Sequence, residues 1–392
     1  QNTGYFKSVS LYPLQRESGE EMEGKKYRDV VIEVEEGQTG NASLFFGMSS
    51  LDNIFGGLSL TENNFNAGGL TSFLKEGLGQ LRGGGEYLDL RLQIGKQKRC
   101  TMNWVNPYFR DTLWTVGWDV NASKGQVQTN EYDVIQYGSG VFVSYPFMRN
   151  WTLGSKIRCN RSIMTADELK KERHIENTTG VILGWGWSAT YDTILNPLLP
   201  RSGSKFSLES EVVGDWSQIP TLDVFSWVKA EALMQSYYPV TERSTFKVRC
   251  NVKFLFPFLK GKPDDIPPNE RFYLGGVYSV RGYKDFNIGP KFTKKGETYP
   301  DPEAPTGGIS SLLASVEYIQ HIAPICDAFL FFDGGTISMK RLDIPNFRMS
   351  YGAGCQLRMG NGMPFIIGYG IPINPGKENE EKRFFLSFGG QF

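Results

Sequence analysis

The two histidines of this 392-residue chain, His174 and His321, are the side chains most suited to acid–base chemistry, and neither lies in a catalytic motif. There is no His-Glu-x-x-His zinc pattern and no Gly-x-Ser-x-Gly nucleophile elbow. His174 falls in the charged segment ADELKKERHIEN, which we expect to be a solvated loop or a short helix. The sequence offers no nucleophile–base pair, so it predicts a protein that is not an enzyme, with no catalytic residue and no cofactor.

Five cysteines are widely scattered and form no Cys-x-x-Cys pair. They are Cys100, Cys159, Cys250, Cys326 and Cys355. An odd count leaves at least one thiol unpaired. We interpret them as small apolar residues of strands and predict no metal site. Disulfides in an oxidising compartment are also possible, and spacing alone does not assign their pairing.

The stretch RFYLGGVYSVRGYKDFNIGP, residues 271–290, gathers aromatic residues and glycines around a single Arg-Gly-Tyr. Loops usually carry solvated polar residues, whereas this composition is typical of a packed segment. The surrounding interruption of strand-like sequence runs from about residue 257 to 308. A connection of this length inside a compact domain is usually functional or disordered, so it is the first candidate for a functional element.

Composition favours one large all-β barrel over two or three soluble domains. The chain has 45 Gly, 27 Phe, 18 Tyr and 8 Trp but only 40% hydrophobic residues, which fits strands, tight turns and interfacial aromatic girdles. Lys+Arg and Asp+Glu are equal at 42 each, so no net field attracts nucleic acid, and we predict no nucleic-acid partner. No uncharged apolar run reaches the length of a membrane helix, and none is predicted.

Strict alternation of apolar and polar residues recurs from about residue 40 to the end. In EYLDLRLQIG, residues 86–95, every second residue is Leu or Ile. Alternation over roughly 10 residues fits a strand between lipid and a wet lumen, since strands of soluble sandwiches average about 5 to 6 residues. We predict an all-β fold, a 16-stranded antiparallel transmembrane β-barrel. Its strands cover 41–49, 53–62, 82–95, 98–106, 111–121, 136–146, 150–161, 180–191, 204–214, 222–237, 244–256, 309–320, 326–333, 345–359, 363–373 and 383–392.

Residues 1–36 differ from the rest of the chain in their sequence pattern. YFKSVSLYPL and YRDVVIEVEEG read as two strands separated by the charged turn QRESGEEMEGKK, typical of the last hairpin of a small α+β domain. We place a boundary at EGQTG and assign 37–392 to the barrel. The opening QNTGYFKSV lacks an initiator Met and a signal-peptide pattern, so we expect that the start of the protein is missing.

Short motifs occur in a fixed order along the chain. They are TENNFNAGG (61–69), NPYF (106–109), YDTILNPLLPRSG (191–203), ERFYLGGVYSVRGY (270–283), GG (307–308), SVEY (315–318) and FFDGG (331–335). Together they resemble the barrel of the BamA family of outer-membrane protein assembly factors, in the POTRA–barrel insertase superfamily. NTGYFKSVSLYP resembles the end of the last POTRA domain, so the resemblance covers essentially the whole chain. It implies a bacterial outer-membrane barrel with a periplasmic N-terminal part.

The resemblance places Val280, Arg281, Gly282 and Tyr283 at the tip of an extracellular loop folded into the lumen. It implies that Arg281 pairs there with Glu317 and Asp333 on the inner wall. Strand parity independently points both carboxylates inward, since the alternate residues beside them are apolar. Gly282 permits a tight or positive-φ turn, and Tyr283 packs the tip. We expect this group to brace the loop rather than to do chemistry.

The resemblance also implies a mechanism without cofactor or ATP, in which the first and last barrel strands meet at a weak lateral seam. Strands of a client protein would pair with the exposed edge of the first strand. The seam residues are Leu44, Phe46, Phe384, Leu386, Phe388, Gly389, Gly390 and Phe392. The two glycines either weaken pairing or form a kink that serves closure.

The implied function is the assembly and insertion of β-barrel proteins into the outer membrane. The implied partners are unfolded outer-membrane clients, accessory lipoproteins of an assembly complex, and the bilayer with its lipopolysaccharide. A polypeptide-secretion pore of the same superfamily shares the loop motif and the POTRA module and is the alternative. A passive porin, a different class, would lack both features. The order of the motifs favours the insertase.

Overall fold

The computed structural model describes residues 6–14, 29–49, 53–125, 133–165, 178–196, 199–215, 226–258, 262–293, 300–343, 347–359, 363–376 and 380–388. Regular structure in these residues is almost entirely β. Among them, no helix is long and apolar enough to cross a membrane. The predictions for His174, Gly389, Gly390 and Phe392 concern positions outside the described ranges.

The N-terminal strands form a sheet of their own. β1 (Phe6–Leu14) pairs antiparallel with β2 (Asp29–Glu36), with Leu14 opposite Asp29. This is the hairpin that the sequence indicated. Its assignment to a POTRA domain stays a prediction.

Sixteen of the described strands form one closed antiparallel barrel. They are β3 (Gly40–Ser49), β4 (Asn53–Phe65), β5 (Glu86–Ile94), β6 (Lys98–Asn106), β7 (Thr115–Gly125), β8 (Asp133–Met148), β9 (Trp151–Thr165), β10 (Thr178–Asp192), β11 (Gly203–Asp215), β12 (Ser226–Thr241), β13 (Ser244–Phe258), β17 (Ser310–Ala323), β18 (Cys326–Ser338), β19 (Arg348–Met359), β20 (Met363–Pro372) and β22 (Phe384–Phe388). Four short strands outside the wall make two small sheets: β14 (Gly282–Tyr283) with β21 (Glu381–Lys382), and β15 (Lys291–Thr293) with β16 (Pro300–Pro305). The predicted fold class and strand number are confirmed.

Several strand ends differ from the prediction. β7 covers 115–125 rather than 111–121, because residues 109–111 turn in a short 3-10 helix with positive φ at Arg110 and Asp111. The amide of Phe109 donates to the carbonyl of Trp114 and closes that turn at 2.9 Å. Other 3-10 turns and one α-helical turn lie between strands. They are Ala67–Thr71, Phe73–Glu76 (α-helical), Leu78–Leu81, Pro263–Asp265 and Pro268–Glu270.

The barrel wall has an apolar outer face and a polar inner face, as the alternation predicted. On β8 Val141 is 51% exposed, and on β18 Leu330 is 59% exposed, because their side chains face the surroundings of the barrel. Asp89 on β5 and Asp333 on β18 are buried inside it. Strand register places outward-facing apolar side chains opposite one another on neighbouring strands, for example Leu58 of β4 opposite Leu92 of β5. One face therefore suits lipid and the other a polar interior.

The two ends of the barrel differ. The turn end carries the two-residue turns 242–243 and 324–325, and the loop end carries the long connection from β13 to β17. Ring pairs mark the turn end: Trp114 and Tyr145 at 4.9 Å, and Trp151 and Tyr191 at 5.3 Å between centroids. Such rings form the aromatic belt at a membrane–water interface.

Strand length varies around the wall. β8 and β12 have 16 residues each, whereas β5 and β6 have nine each. The wall is therefore taller at β8 and β12 than at β5 and β6.

We predict that a charge on the outer face destabilises the barrel far more than the same charge inside. Val141→Lys, in the middle of β8, should cost about 2–4 kcal/mol of folding free energy, because the ammonium meets hydrocarbon. Gln136→Lys, on the inner face of the same strand, should stay within about 0.5 kcal/mol of the parent. Urea titrations of folding into lipid vesicles measure both, and equal losses would contradict the assignment of the faces.

Candidate functional site

The connection from β13 to β17 packs as a second core inside the barrel. Its described residues are 262–293 and 300–309. Apolar side chains of this segment are buried against the wall. They are Ile266, Phe272, Leu274, Val280, Tyr283, Ile288 and Ile309, and the wall supplies Ile182, Val213, Trp227, Leu255, Leu313 and Ile337. The aromatic, glycine-rich stretch is thus an inward-folded plug, which explains why it does not have the composition of a solvated loop.

The structure brings Arg281 together with both carboxylates that the sequence analysis singled out. Its Nε lies 2.7 Å from Asp333 Oδ2, and its Nη2 lies 2.7 Å from Asp333 Oδ1. The same Nη2 is 2.9 Å from Glu317 Oε1. The backbone amide of Arg281 also donates to Asp333 Oδ2 at 3.1 Å. This bidentate pair fixes both the position and the orientation of the loop tip.

The inner wall around Arg281 is built by strand register. Ser315 on β17 stands directly opposite Asp333 on β18 and donates to its Oδ1 at 2.6 Å. Lys247 on β13 stands opposite Glu317 and binds it at 3.2 Å. The guanidinium also lies 3.8 Å from the ring centroid of Phe331, within cation–π distance. Three adjacent strands therefore present one preformed receptor to the arginine.

Burial and charge act in opposite directions on Arg281, which is 6% exposed. Burial lowers the pKa of its guanidinium, but the hydrogen bonds and charge of Asp333, together with Glu317, raise the pKa above its ordinary value. The group therefore stays charged at any physiological pH. A charge this deeply buried is stable only while its partners remain in place.

Two glycines allow the loop tip to lie against the wall. Gly282 has φ +88°, as the sequence analysis anticipated, and a Cβ there would lie 3.1 Å from the carbonyl carbon of Gly370 on β20. A Cβ on Gly370 would lie 2.8 Å from the nitrogen of Gly282. The two backbones are therefore in direct contact, which only glycine permits.

Tyr283 anchors the other side of the tip. It is 1% exposed, and its hydroxyl donates to the carbonyl of Met349 at 3.0 Å. Burial raises the pKa of Tyr283 to about 12. β14, which contains Tyr283, also pairs with β21. The tip is thus attached to the segment that leads into the last barrel strand.

A second ion-pair cluster, which the sequence analysis missed, holds the start of the loop. Glu270 is buried and accepts from Arg158 of β9, with Nη1–Oε1 3.1 Å and Nη2–Oε2 3.0 Å. The same arginine binds Glu211 of β11. Parity places Arg158 and Glu211 inside the barrel, but nothing in the sequence indicates that Glu270 reaches across to them. The loop is therefore braced at two places on the wall.

The last barrel strand, β22, closes the barrel against the first, β3. β22 meets β3 through Ser387 opposite Ser49 and Phe388 opposite Met48, whereas β3 pairs with β4 over its whole length. The predicted seam residues that lie within the described ranges share the outer face. They are Leu44, Phe46, Phe384, Leu386 and Phe388. The described part of the seam thus presents apolar side chains to the surroundings of the barrel.

The loop also contacts the seam. The hydroxyl of Tyr278 lies 2.5 Å from Ser387 Oγ, and the Tyr278 carbonyl accepts from Arg249 of β13 at 3.0 Å. Ser387 is the residue that pairs with Ser49 across the seam. One tyrosine therefore links the inner wall, the loop and the last strand.

At the turn end a chain of hydrogen bonds joins β13, β17, β18 and β19. Thr245 Oγ1 is 3.2 Å from His321 Nε2, and His321 Nδ1 is 2.8 Å from Asp327 Oδ1. Arg358 binds the other oxygen of Asp327. Sequence reasoning found no partner for His321, yet the order hydroxyl–imidazole–carboxylate resembles that of a nucleophilic triad. Thr245 is only 1% exposed, which favours a role in joining strands.

Within the described ranges, no group of three or more His, Cys, Asp or Glu side chains is arranged to hold a metal ion.

Replacing the loop arginine should destabilise the folded barrel. Arg281→Ala leaves Asp333 and Glu317 buried without their shared cation, which should cost about 3–5 kcal/mol and expose the loop to protease. Thermal unfolding and limited proteolysis measure the two effects. Arg149→Ala, at an exposed turn, is the matched control and should behave as the parent protein. An unchanged melting temperature for Arg281→Ala would count against the buried ion pair.

Removal of Glu270 should be milder than removal of Arg281. In Glu270→Ala the Arg158 guanidinium keeps Glu211, so the loss is the hydrogen bonds to one charged partner, about 1.5–3 kcal/mol. Proteolysis should then open the start of the loop while the Arg281 tip stays protected. If Glu270→Ala released the tip as readily as Arg281→Ala, the two braces would not be separate.

Residues 80–392 match the Omp85 superfamily domain. Outer membrane protein assembly factor BamA of Nitratidesulfovibrio vulgaris is 25% identical over 324 residues, 80% of this chain and 39% of that protein. The Sorting and assembly machinery component 50 homolog of Mus musculus is 29% identical over 194 residues, 46% of this chain and 39% of that protein. The chain spans about two fifths of the length of these relatives.

Solved structures share the fold. The crystal structure of BamA from Haemophilus ducreyi lacking POTRA domains 1-3 has a TM-score of 0.76 at 16% identity, covering 100% of this chain and 76% of that one. CdiB from Acinetobacter baumannii has a TM-score of 0.59 at 14% identity, covering 99% and 66%. The relatives and the closed barrel place the protein in a bacterial outer membrane. The domain match covers most of the chain, and the protein belongs to the Omp85 superfamily.

Proposed function

We propose that this protein folds and inserts β-barrel proteins into the outer membrane, through a lateral gate between β3 and β22. The observation that carries the proposal is that the last strand, β22, closes the barrel against the first strand, β3, at a junction that the inward-folded loop contacts through Tyr278 and Ser387. Membership of the Omp85 superfamily and the likeness to BamA support the same function. The function needs no catalytic residue and no cofactor.

The physical basis of the mechanism is the satisfaction of backbone hydrogen bonds in lipid. A strand that enters the bilayer alone leaves N–H and C=O groups unpaired, each at a cost of several kcal/mol. β3 pairs with β4 along one edge and meets β22 along the other, so opening the β3–β22 junction would expose an edge of β3. A client strand that adds to this edge acquires its hydrogen bonds as it enters the membrane.

The plug and its two braces give the barrel a role other than passive diffusion. The loop packs buried apolar side chains against β10–β13, β17 and β18 inside the barrel and is held by Arg281 and Glu270. A porin requires an open polar channel instead. The plug occupies part of the lumen, and we expect clients to pass along the wall at the seam, with the Tyr278–Ser387 contact keeping the last strand in place between insertion events.

Partners follow from the proposed function. Unfolded outer-membrane proteins are the substrates, and the protein recognises the unpaired backbone N–H and C=O groups of their edge strands. Accessory lipoproteins of an assembly complex, and the bilayer with its lipopolysaccharide, complete the set. The N-terminal hairpin β1–β2 then lies on the periplasmic side as the end of a POTRA domain.

A polypeptide-secretion pore is the second candidate, because the fold likeness extends to CdiB at a TM-score of 0.59. The two functions make different demands on the loop. Secretion requires the plug to leave the lumen so that a chain can cross it, whereas insertion at the seam leaves the plug seated.

Covalent closure of the seam should abolish insertion. Met48 and Phe388 are directly opposed, so Met48→Cys with Phe388→Cys, placed in a background whose native cysteines are serine, forms a disulfide across the gate. Insertion of an unfolded client barrel into proteoliposomes should fall to the level of empty vesicles and recover with dithiothreitol. Leu58→Cys with Leu92→Cys, opposed on β4 and β5, is the matched control and should insert clients normally. Full activity of the oxidised seam variant would falsify the lateral gate.

A second disulfide separates insertion from secretion. Arg281→Cys with Asp333→Cys ties the plug to the wall at the site of the native ion pair. An insertase should keep client insertion with the plug so tied, because its substrates use the seam. If the oxidised variant lost client insertion completely and recovered it under dithiothreitol, movement of the plug would be required, as in a secretion pore.

A further inference from the structure

Two of the five cysteines are neighbours in the folded barrel. The sulfur atoms of Cys326 and Cys355 lie 3.5 Å apart, although 29 positions separate them in the sequence. The cysteines are on adjacent antiparallel strands, β18 and β19, where Cys326 stands opposite Leu357 and Cys355 opposite Ala328. They are therefore diagonal neighbours, two positions apart along the ladder. Both cysteines lie in strands, as the sequence predicted, and the possibility of a disulfide, which spacing left open, narrows to this pair.

Both thiols lie on the outer face of the wall close to the turn end. Cys326 follows the 324–325 turn directly, and its strand neighbours on the same face include Leu330 and Phe332, which are 59% and 47% exposed. Cys355 shares its face with Tyr351, which is 49% exposed. Both cysteines are partly exposed. A small oxidant can therefore reach the pair at the edge of the membrane.

On the inner face of the wall, residues next to the two cysteines are held by hydrogen bonds and an ion pair. Asp327, next to Cys326, accepts from His321 of β17 and binds Arg358 of β19. Arg358 further donates from its amide to the carbonyl of Ile325 at 2.8 Å and from its guanidinium to that of Pro324 at 3.2 Å. These bonds hold the β17–β18 turn against β19. The strands that carry the two thiols are therefore held side by side at this level of the wall.

The other cysteines have no such neighbour. Cys100 stands opposite Leu92 and Ala122, Cys159 opposite Ser139 and Leu183, and Cys250 opposite Met234 and Ala314. All five cysteines lie within the described residues. One pair and three isolated thiols account for the odd count.

We propose that Cys326 and Cys355 form a disulfide that staples β18 to β19 at the turn end. Closing the bond brings the sulfur atoms from 3.5 Å to about 2.05 Å, through rotation of the two χ1 angles and a small shift of the strand beside the turn. In the reaction each thiol loses one proton and one electron, and the S–S bond forms. The two electrons reduce the disulfide of an exchanging oxidant to two thiols. The outer-membrane location supplies such an oxidising environment.

The test is a thiol count on the purified full-length chain in detergent micelles. After incubation with oxidised glutathione, acid quenching and denaturation, a maleimide–polyethylene glycol reagent should label three of the five cysteines, and all five after dithiothreitol. Peptide mass mapping without reduction should recover Cys326 joined to Cys355. C326S and C355S should each keep four reactive thiols, whereas C250S should lose two of its four.

Three outcomes overturn the proposal. These are five reactive thiols after oxidation, a disulfide that involves Cys100, Cys159 or Cys250, and thiols blocked only as mixed disulfides with glutathione. Heat-modifiable gel migration of every variant shows that the barrel is folded when it meets the oxidant, so a negative result cannot be attributed to misfolding.

Discussion

The bidentate pair between Arg281 and Asp333 is the interaction on which the interior of this barrel depends. It lies where a loop tip from one end of the barrel meets strands β17 and β18, and both partners are almost completely removed from solvent. A buried pair gains from association only when its remaining hydrogen-bond capacity is satisfied, which Ser315 and Glu317 accomplish here. Val280 and Tyr283, close to the arginine in the chain, are buried in the apolar core that the loop forms with the wall.

Much of the architecture follows from period-2 alternation, because lipid on one side and water on the other impose it on every strand. Alternation alone predicts the sixteen strands and places Glu317 and Asp333 on the inner face, as the structure confirms. Alternation tells which face of the wall a side chain lies on, but it does not tell at which level along the barrel axis the side chain lies. Whether Glu270 reaches Arg158, or Cys326 meets Cys355, depends on register and on the path of the loop. Those quantities arise from the closed sheet as a whole and leave no trace in a local pattern.

The same limit explains the missed hydroxyl–imidazole–carboxylate chain. Thr245, His321 and Asp327 come from three strands, and only their shared level at the turn end brings them together. Sequence motifs for catalysis encode groups that one local element positions, so they do not detect a cross-strand cluster. The loop-to-seam contact between Tyr278 and Ser387 escaped notice for the same reason.

The unequal height of the wall has a consequence for the lipid around it. At a tilt of about 45°, the nine-residue strands β5 and β6 span roughly 21 Å, and the 16-residue strands β8 and β12 roughly 37 Å. The apolar band of an outer-membrane barrel is about 25 Å tall, which the tall flank exceeds and the short flank does not reach, so we expect the bilayer to be thinner where it meets β5 and β6. This flank lies two strands from the seam. Strand length alone thus makes the membrane beside the β3–β22 junction thinner than at the opposite flank.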